Sequence, residues 1–373
     1  MDSKFVKISG TSSYLPGKPV PFEEINDHLG ELVNAPEKVK KWAEKTQLLM
    51  KEMLGVDYCH YALNRETRKF DEDNLSLSVK AAKGAIEEAG LQPNDIDLLI
   101  YGGSYSHQMP PLSSRIQEGL GIDFCSEMHI HSNCTSVYKS IMVAHDLIRI
   151  GRYKNVLVVS SNISSASFCK EYFNQEKLKK EDLFLRWYLC DGAGAMVLQA
   201  CDKMEKGFYL EHTYIESPGG NKVSAMHTLY PGYWENPIKI YEEGAHHIKQ
   251  LFQKELSDHS LDKTNGKTIF YNGLKRMIES QKINLDSLKY LMINMPTKAV
   301  RGMIVEECLD LGIKPEHIYS AIENIGYTGP PAAIISLDKL LKTEKFKDND
   351  YVISFVMEVS KFMQGGYGIR VKT

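Results

Sequence analysis

Apolar residues recur at Val137, Ile141, Ala144 and Ile148, a 3.6-residue period that predicts a helix over 137–149 with one continuous core-facing stripe. An uninterrupted apolar run at 156–159 follows, short enough to be a buried strand. Both signals repeat along the chain. Residues 4–8 alternate as a first strand, and 75–89 carry Leu77, Val79, Ala82 and either Ala85 or Ile86 as a helix closed by Gly90. The stretch DIDLLIYGG predicts a buried strand emptying into a glycine-rich turn, and RIQEGLG a short helix. Residues 195–198 predict a strand behind a glycine-rich turn at 191–194. Later, helices are expected over 238–256, 272–283, 299–311 and from about Pro331, with strands over 288–294 and 351–360, and GGYGIRV as a tight turn feeding the last strand. The segment 22–54, rich in Lys, Glu, Leu and Met, predicts a helical insertion in two pieces broken near 34–36.

Two halves of this pattern repeat. In the first, IDLLIYGGS, a loop and a helix ending GLGI lead to a cysteine-containing turn, the long helix and the strand NVLVVSS. In the second, LKYLMIN and a helix ending DLGI lead to YTGPP, its helix and YVISFVME. Each half is an α/β unit. Two such units packed face to face would bury both long helices between sheets. The expected division is 1–202 and 203–373, with the insertion at 22–54 in the first half.

Composition narrows the function. The 373 residues hold 45 basic and 48 acidic side chains, interspersed, for a net charge of -3, so neither a nucleic-acid field nor an electrostatic membrane anchor is expected. No apolar run reaches about 18 residues, and MDSKFVKISG lacks a basic-apolar-cleavage pattern, from which a cytoplasmic protein is expected. The seven cysteines show no CxxC pair, and the twelve histidines no HExxH spacing, so reduced thiols and no metal or other cofactor are expected.

The remaining chemistry gathers on Cys134, at the start of the long apolar helix. Early amides of a helix lack intrahelical partners, and their dipoles favour a thiolate over a thiol. Cys134 is therefore a candidate nucleophile, although the same pattern fits a small residue buried where helix meets sheet. His131, three residues upstream, and His107, on the loop after the second strand, are candidate bases.

Together GGSYSHQMPPLSSRIQEGLGI, SNCTSVYKSIMVAHDLIRIGRYKNVLVVSS, LCDGAGAMVL, GYTGPPAAIISLDKLL and SKFMQGGYGIR, in this order over nearly the whole chain, resemble the β-ketoacyl synthase III-like branch of the thiolase superfamily. The resemblance implies a five-layer αβαβα fold and a homodimer, or a heterodimer with a related ketosynthase-like subunit. It implies that Cys134 takes an acyl group from a CoA or acyl-carrier-protein thioester. The Cys134 amide and an amide of the C-terminal glycine-rich turn, where Met363, Gly365 and Gly366 stand, would form the oxyanion hole. Gly192 would belong to a structural turn, and Met109 would sit where an aromatic gate limits the partner's acyl tunnel.

The departures from the family pattern are specific. Asn294 stands where the family has a histidine, and Tyr327, in Gly326-Tyr327-Thr328, where it has an asparagine. Phe362, Met363 and Gln364 cover part of a triple-glycine turn, and Leu54-Gly55-Val56-Asp57 replaces a CoA-binding arginine with an acid. The expected function is an acyltransferase or atypical condensing enzyme acting through Cys134. The alternative from another class is a catalytically reduced subunit that stabilises or gates an active paralogue.

Overall fold

The computed structural model describes residues 4–104, 109–228, 248–250, 258–295 and 297–373. Among these, ten strands form one continuous sheet. They are β1 (Phe5–Tyr14), β2 (Leu98–Gly103), β3 (Ser126–His131), β4 (Asn155–Asn162), β5 (Gly192–Cys201), β6 (Gly207–Glu216), β7 (Leu288–Ile293), β8 (Ile318–Tyr319), β9 (Tyr351–Glu358) and β10 (Met363–Lys372). Their order is β8-β7-β9-β10-β6-β1-β5-β4-β2-β3. Outward from the central β6–β1 pair, each strand on one side matches the strand five numbers away on the other. The pairing repeats as well. β2 runs parallel to β3 and β4, and β7 parallel to β8 and β9, while β5 and β10 run antiparallel to both of their neighbours.

The alternation within strands builds the layers. Leu98, Ile100, Val156 and Val158 face an inner core shared with α4 (Thr135–Arg149) and α8 (Ala332–Thr343). Their neighbours Leu99, Tyr101, Leu157 and Val159 face the other way, onto α2 (Asn74–Glu88) and α3 (Leu112–Leu120). In the second half Val352 and Val356 join the inner core. Ile353, Phe355 and Met357 instead meet α6 (Ile269–Ser280) and α7 (Lys298–Leu309). Both faces of these strands are covered, which is why they read as apolar runs. The result is helices, one half of the sheet, central helices, the other half of the sheet, helices: the five-layer αβαβα arrangement. Val137, Ile141, Ala144 and Ile148, the stripe on α4, are all fully buried in the central layer.

The insertion is held by specific contacts. A short helix, Ile25–Leu29, and α1 (Glu37–Leu54) flank a break, and Trp42 of α1 stacks on Trp187 of α5 (Leu183–Tyr188) at 5.7 Å between ring centroids. Arg186 is buried and donates to the Phe168 carbonyl at 3.1 Å, to Asn26 Oδ1 at 2.6 Å and to the Gly30 carbonyl. Burial lowers its pKa to about 10. The insertion thereby braces α5, which leads directly into the strand segment beside Tyr327.

Three local expectations change. Ile248–Gln250, inside the expected 238–256 helix, is a strand paired with Met226–Thr228; the rest of that range lies outside the described residues. The helix expected over 272–283 starts earlier, at Ile269, because the Thr268 side chain accepts from the Tyr271 amide and caps it. The expected glycine turns at 191–194 and in GGYGIRV are strand. Gly192 opens β5, opposite Asn162. Met363, Gly365 and Gly366 lie in β10, with Gly365 between Val356 and Ile215 and Gly366 between Phe355 and Tyr214. The chain turns earlier, at 359–362, and Phe362 takes the left-handed conformation, φ 59°, that a glycine usually supplies.

Candidate active site

Cys134 immediately precedes α4, in right-handed helical conformation, and is 7% exposed. Tyr327 is brought to it from the other half, with its hydroxyl 2.9 Å from Cys134 Sγ. The position of Tyr327 is set by its backbone. Its amide donates to the Tyr188 carbonyl at 3.1 Å, and its carbonyl accepts from the Cys190 amide at 3.0 Å. Gly326 before it has φ 71°, and a Cβ there would lie 2.7 Å from Cys190 Sγ. Only glycine admits that close left-handed approach.

Asp191 locks the same segment from behind. Fully buried, it accepts from the Ala62 amide at 2.7 Å, the Ser165 amide at 2.9 Å and the Ser165 hydroxyl. Burial raises its carboxyl to about 6 against the lowering effect of these donors. Replacing Asp191 with alanine leaves two buried amides without an acceptor and is expected to destabilise the fold by about 2–5 kcal/mol. A lowered denaturant midpoint measures this, and an unchanged midpoint would show that Asp191 does not hold the segment.

Asn294 follows β7 and is 3% exposed. Its Oδ1 accepts from Ser336 of α8 at 2.7 Å, and its amide faces the Tyr138 hydroxyl. Tyr138, one turn into α4, bonds Ser354 of β9 at 2.8 Å and lies against Tyr367 of β10, 5.4 Å between centroids. Gly365 makes that fit possible, because a Cβ there would come within 2.7 Å of Tyr138 Cβ. Three buried tyrosines, Tyr138, Tyr327 and Tyr367, therefore surround the helix start. Burial holds all three hydroxyls above their usual range.

The residue the sequence reading missed is Glu358, the last residue of β9 and 1% exposed. Its carboxylate accepts from the Thr135 amide at 2.8 Å, the Thr135 hydroxyl at 2.5 Å, Ser132 Oγ at 3.1 Å and the Ser360 hydroxyl. Lys139 donates to Ser132 Oγ at 2.9 Å, behind this cluster. An acidic residue closing the apolar run YVISFVM was the available signal. The thiolate expected from the helix start is not favoured here: burial first, and the Glu358 carboxylate second, raise the Cys134 thiol to about 12, with Tyr327 and the Cys134 amide opposing. At such a value the thiol form predominates near neutrality.

His131 is exposed at the end of β3 and bonds the Ser104 carbonyl at 2.9 Å. His107 falls outside the described residues. Met109 is 98% exposed. Gly365 and Gly366 sit within the β9–β10–β6 ladder, and Lys139 lies 3.6 Å from the Met363 sulfur. Among the described residues no group of three or more His, Cys, Asp or Glu could hold a metal ion, and no helix is long and apolar enough to cross a membrane.

Residues 128–217 match the family model for 3-oxoacyl-[acyl-carrier-protein] synthase III. The chain is 31% identical over 152 residues to a β-ketoacyl-[acyl-carrier-protein] synthase III of Haemophilus influenzae, a match covering 40% of this chain and 44% of that protein. This chain thus spans less than half the length of that relative. The corresponding protein of Clostridium acetobutylicum is 22% identical over 345 residues, 90% of each chain. Among solved structures, AbyA1, a tetronic acid condensing enzyme, superposes with a TM-score of 0.78 at 18% identity, over 98% of this chain and 99% of that one. The Pseudomonas aeruginosa 3-oxoacyl-(acyl carrier protein) synthase III gives 0.74 at 17%, over 99% of both. A cysteine-to-serine variant of Xanthomonas campestris OleA, with bound lauric acid and lauroyl-CoA, gives 0.76 at 16%, over 98% and 99%. These structural likenesses concern the fold. The chain thus has the fold of these condensing enzymes and is similar, at modest identity across most of its length, to the β-ketoacyl synthase III-like branch of the thiolase superfamily.

Proposed function

We propose that this chain is an acyltransferase of the condensing-enzyme type that loads an acyl group from a carrier-protein or CoA thioester onto Cys134 and passes it to a second substrate. The observation that carries this reading is the Cys134–Tyr327 pair, a buried sulfur 2.9 Å from a tyrosine hydroxyl at the start of the central helix. In loading, the Cys134 sulfur forms a new C–S bond as the donor's C–S bond breaks, and the thiol proton leaves with the donor thiol. Tyr327 keeps its own proton and donates a hydrogen bond to the sulfur while the thiol proton passes to the departing donor thiolate. The Nδ2 of Asn294, beside the Tyr138 hydroxyl, is a donor for a substrate carbonyl, but an amide is no base near neutral pH.

The step after loading differs from malonyl decarboxylation in this proposal. Asn294 and Tyr327 replace the histidine and asparagine the family pattern carries, and Tyr138 and Tyr367 fill space beside them. The donor and a homodimeric or ketosynthase-paired assembly, with Met109 reaching a partner's tunnel, belong to the same proposal, as does a cytoplasmic location. The test is intact-mass measurement after incubation with acyl-CoA and acyl-carrier thioesters. An added acyl mass on the chain supports the reading, and no adduct with any donor overturns it.

One observation favours a second reading, the catalytically reduced partner subunit. Glu358 already occupies the Thr135 amide at 2.8 Å. Co-purification with an active paralogue, together with no turnover of the isolated chain, would favour this reading; a homodimer that turns over alone would exclude it.

A further inference from the structure

The position of Glu358 is unusual in four respects. It is 1% exposed, it ends a strand in which the preceding seven side chains are also buried, it comes from the opposite half of the fold, and it caps the helix that Cys134 precedes. An anion at a helix N-terminus is in a favourable field. Here the anion is part of the chain. Ser132, Thr135 and Ser360 provide its other hydrogen bonds, so the carboxylate is satisfied where it stands. A substrate oxygen approaching the start of α4 meets an amide that is already taken.

We infer that Glu358 is the positioning residue that sets the reactivity of Cys134: its carboxylate, held on the Thr135 amide as an internal anion, keeps the neighbouring sulfur a thiol. The effect on the thiol holds whether or not Cys134 carries acyl groups. With the carboxylate in place, its negative charge opposes ionisation of the sulfur. The chain thus carries a resting state in which the nucleophile is held as a thiol. Other charged or titratable groups facing Cys134 and Glu358 are Lys139 and Tyr138 on α4 and Tyr327 before α8. None of them alters between wild type and Glu358→Gln.

The experiment uses Glu358→Gln, which keeps the size and an acceptor oxygen for the Thr135 amide and removes the charge. Alkylation of Cys134 by iodoacetamide is followed by mass spectrometry from pH 6 to 10 in wild type and variant. The inference expects the variant to react about tenfold or more faster at a given pH below the thiol pKa, the equivalent of at least one unit of thiol pKa. Matching rate–pH profiles would overturn it. If Glu358→Gln does not fold, Glu358→Asp keeps the charge but draws it back by one methylene from the helix start and should give a smaller acceleration; no acceleration there would overturn the inference equally. Acyl loading is measured on the same proteins. Faster alkylation in the variant with no acyl adduct from any thioester keeps Glu358 as the control on Cys134 and removes the acyltransferase reading. Unchanged alkylation with normal acyl loading does the reverse.

Discussion

Replacing Cys134 with alanine is expected to abolish the acyl adduct and to lower any acyl-transfer turnover on the order of 10³-fold or more, since a covalent route has no substitute once its nucleophile is gone. The fold should survive. The substitution removes the buried sulfur and with it the Tyr327 hydroxyl's partner, a loss of about 1–3 kcal/mol, while the apolar stripe of Val137, Ile141, Ala144 and Ile148 that holds α4 is untouched. Circular dichroism and denaturant unfolding of the variant check this directly. A Cys134→Ala protein that is folded and still turns over would place the chemistry elsewhere.

The second large effect belongs to Tyr327. Its hydroxyl makes a 2.9 Å contact with Cys134 Sγ, and it opposes the burial and the carboxylate that keep the sulfur protonated. Tyr327→Phe keeps the ring, its place 6.2 Å from Tyr188 and its backbone pairing with Tyr188 and Cys190. It removes only the donor. A hydrogen bond to a group that becomes charged contributes about 1.5–3 kcal/mol, so the rate of acyl loading is expected to fall about 10- to 100-fold. Alkylation of Cys134 should slow in parallel, whereas the unfolding midpoint should move little. Loading at the wild-type rate would mean that the hydroxyl only packs against the sulfur.

Tyr327 and Glu358 act on Cys134 in opposite directions, and they differ in how far the sequence announced them. Tyr327 was visible because Gly326-Tyr327-Thr328 interrupts a motif at a known place in the order of segments. Glu358 was not. A carboxylate at the end of an apolar strand reads as the first solvated residue of a turn. Its burial depends on the start of α4, more than two hundred residues earlier, reaching across from the other half. The large elements were legible for a simpler reason: a stripe such as that of α4, and the doubly covered strands on either side of it, carry their period in their own residues. The duplicated order of strands and helices carried the five-layer architecture in the same way.

The glycine-rich end of the chain was misread for a physical reason of its own. Glycines suggest a turn, but the β9–β10 turn falls at 359–362, on Phe362. Gly365 is needed for the approach of Tyr138, not for backbone curvature. Gln364 shows the same long-range dependence. Fully buried, it donates to the Ile269 carbonyl at 2.6 Å, and it fits against α6 because Gly273 has no side chain there to overlap its amide oxygen. No local pattern predicts a buried glutamine. It needs a glycine about ninety residues away.

Cys134 and the altered groups around it lead to the proposal at the centre of this account: acyl groups pass through Cys134, by a route that does not depend on the histidine and asparagine of the family pattern. The most direct measurement is peptide-level mass spectrometry of the chain quenched during turnover with an acyl thioester donor. The expected result is an acyl mass on the peptide containing Cys134, rising with donor and falling when acceptor is added. Turnover with that peptide unmodified, or an acyl mass on another residue, would contradict the claim.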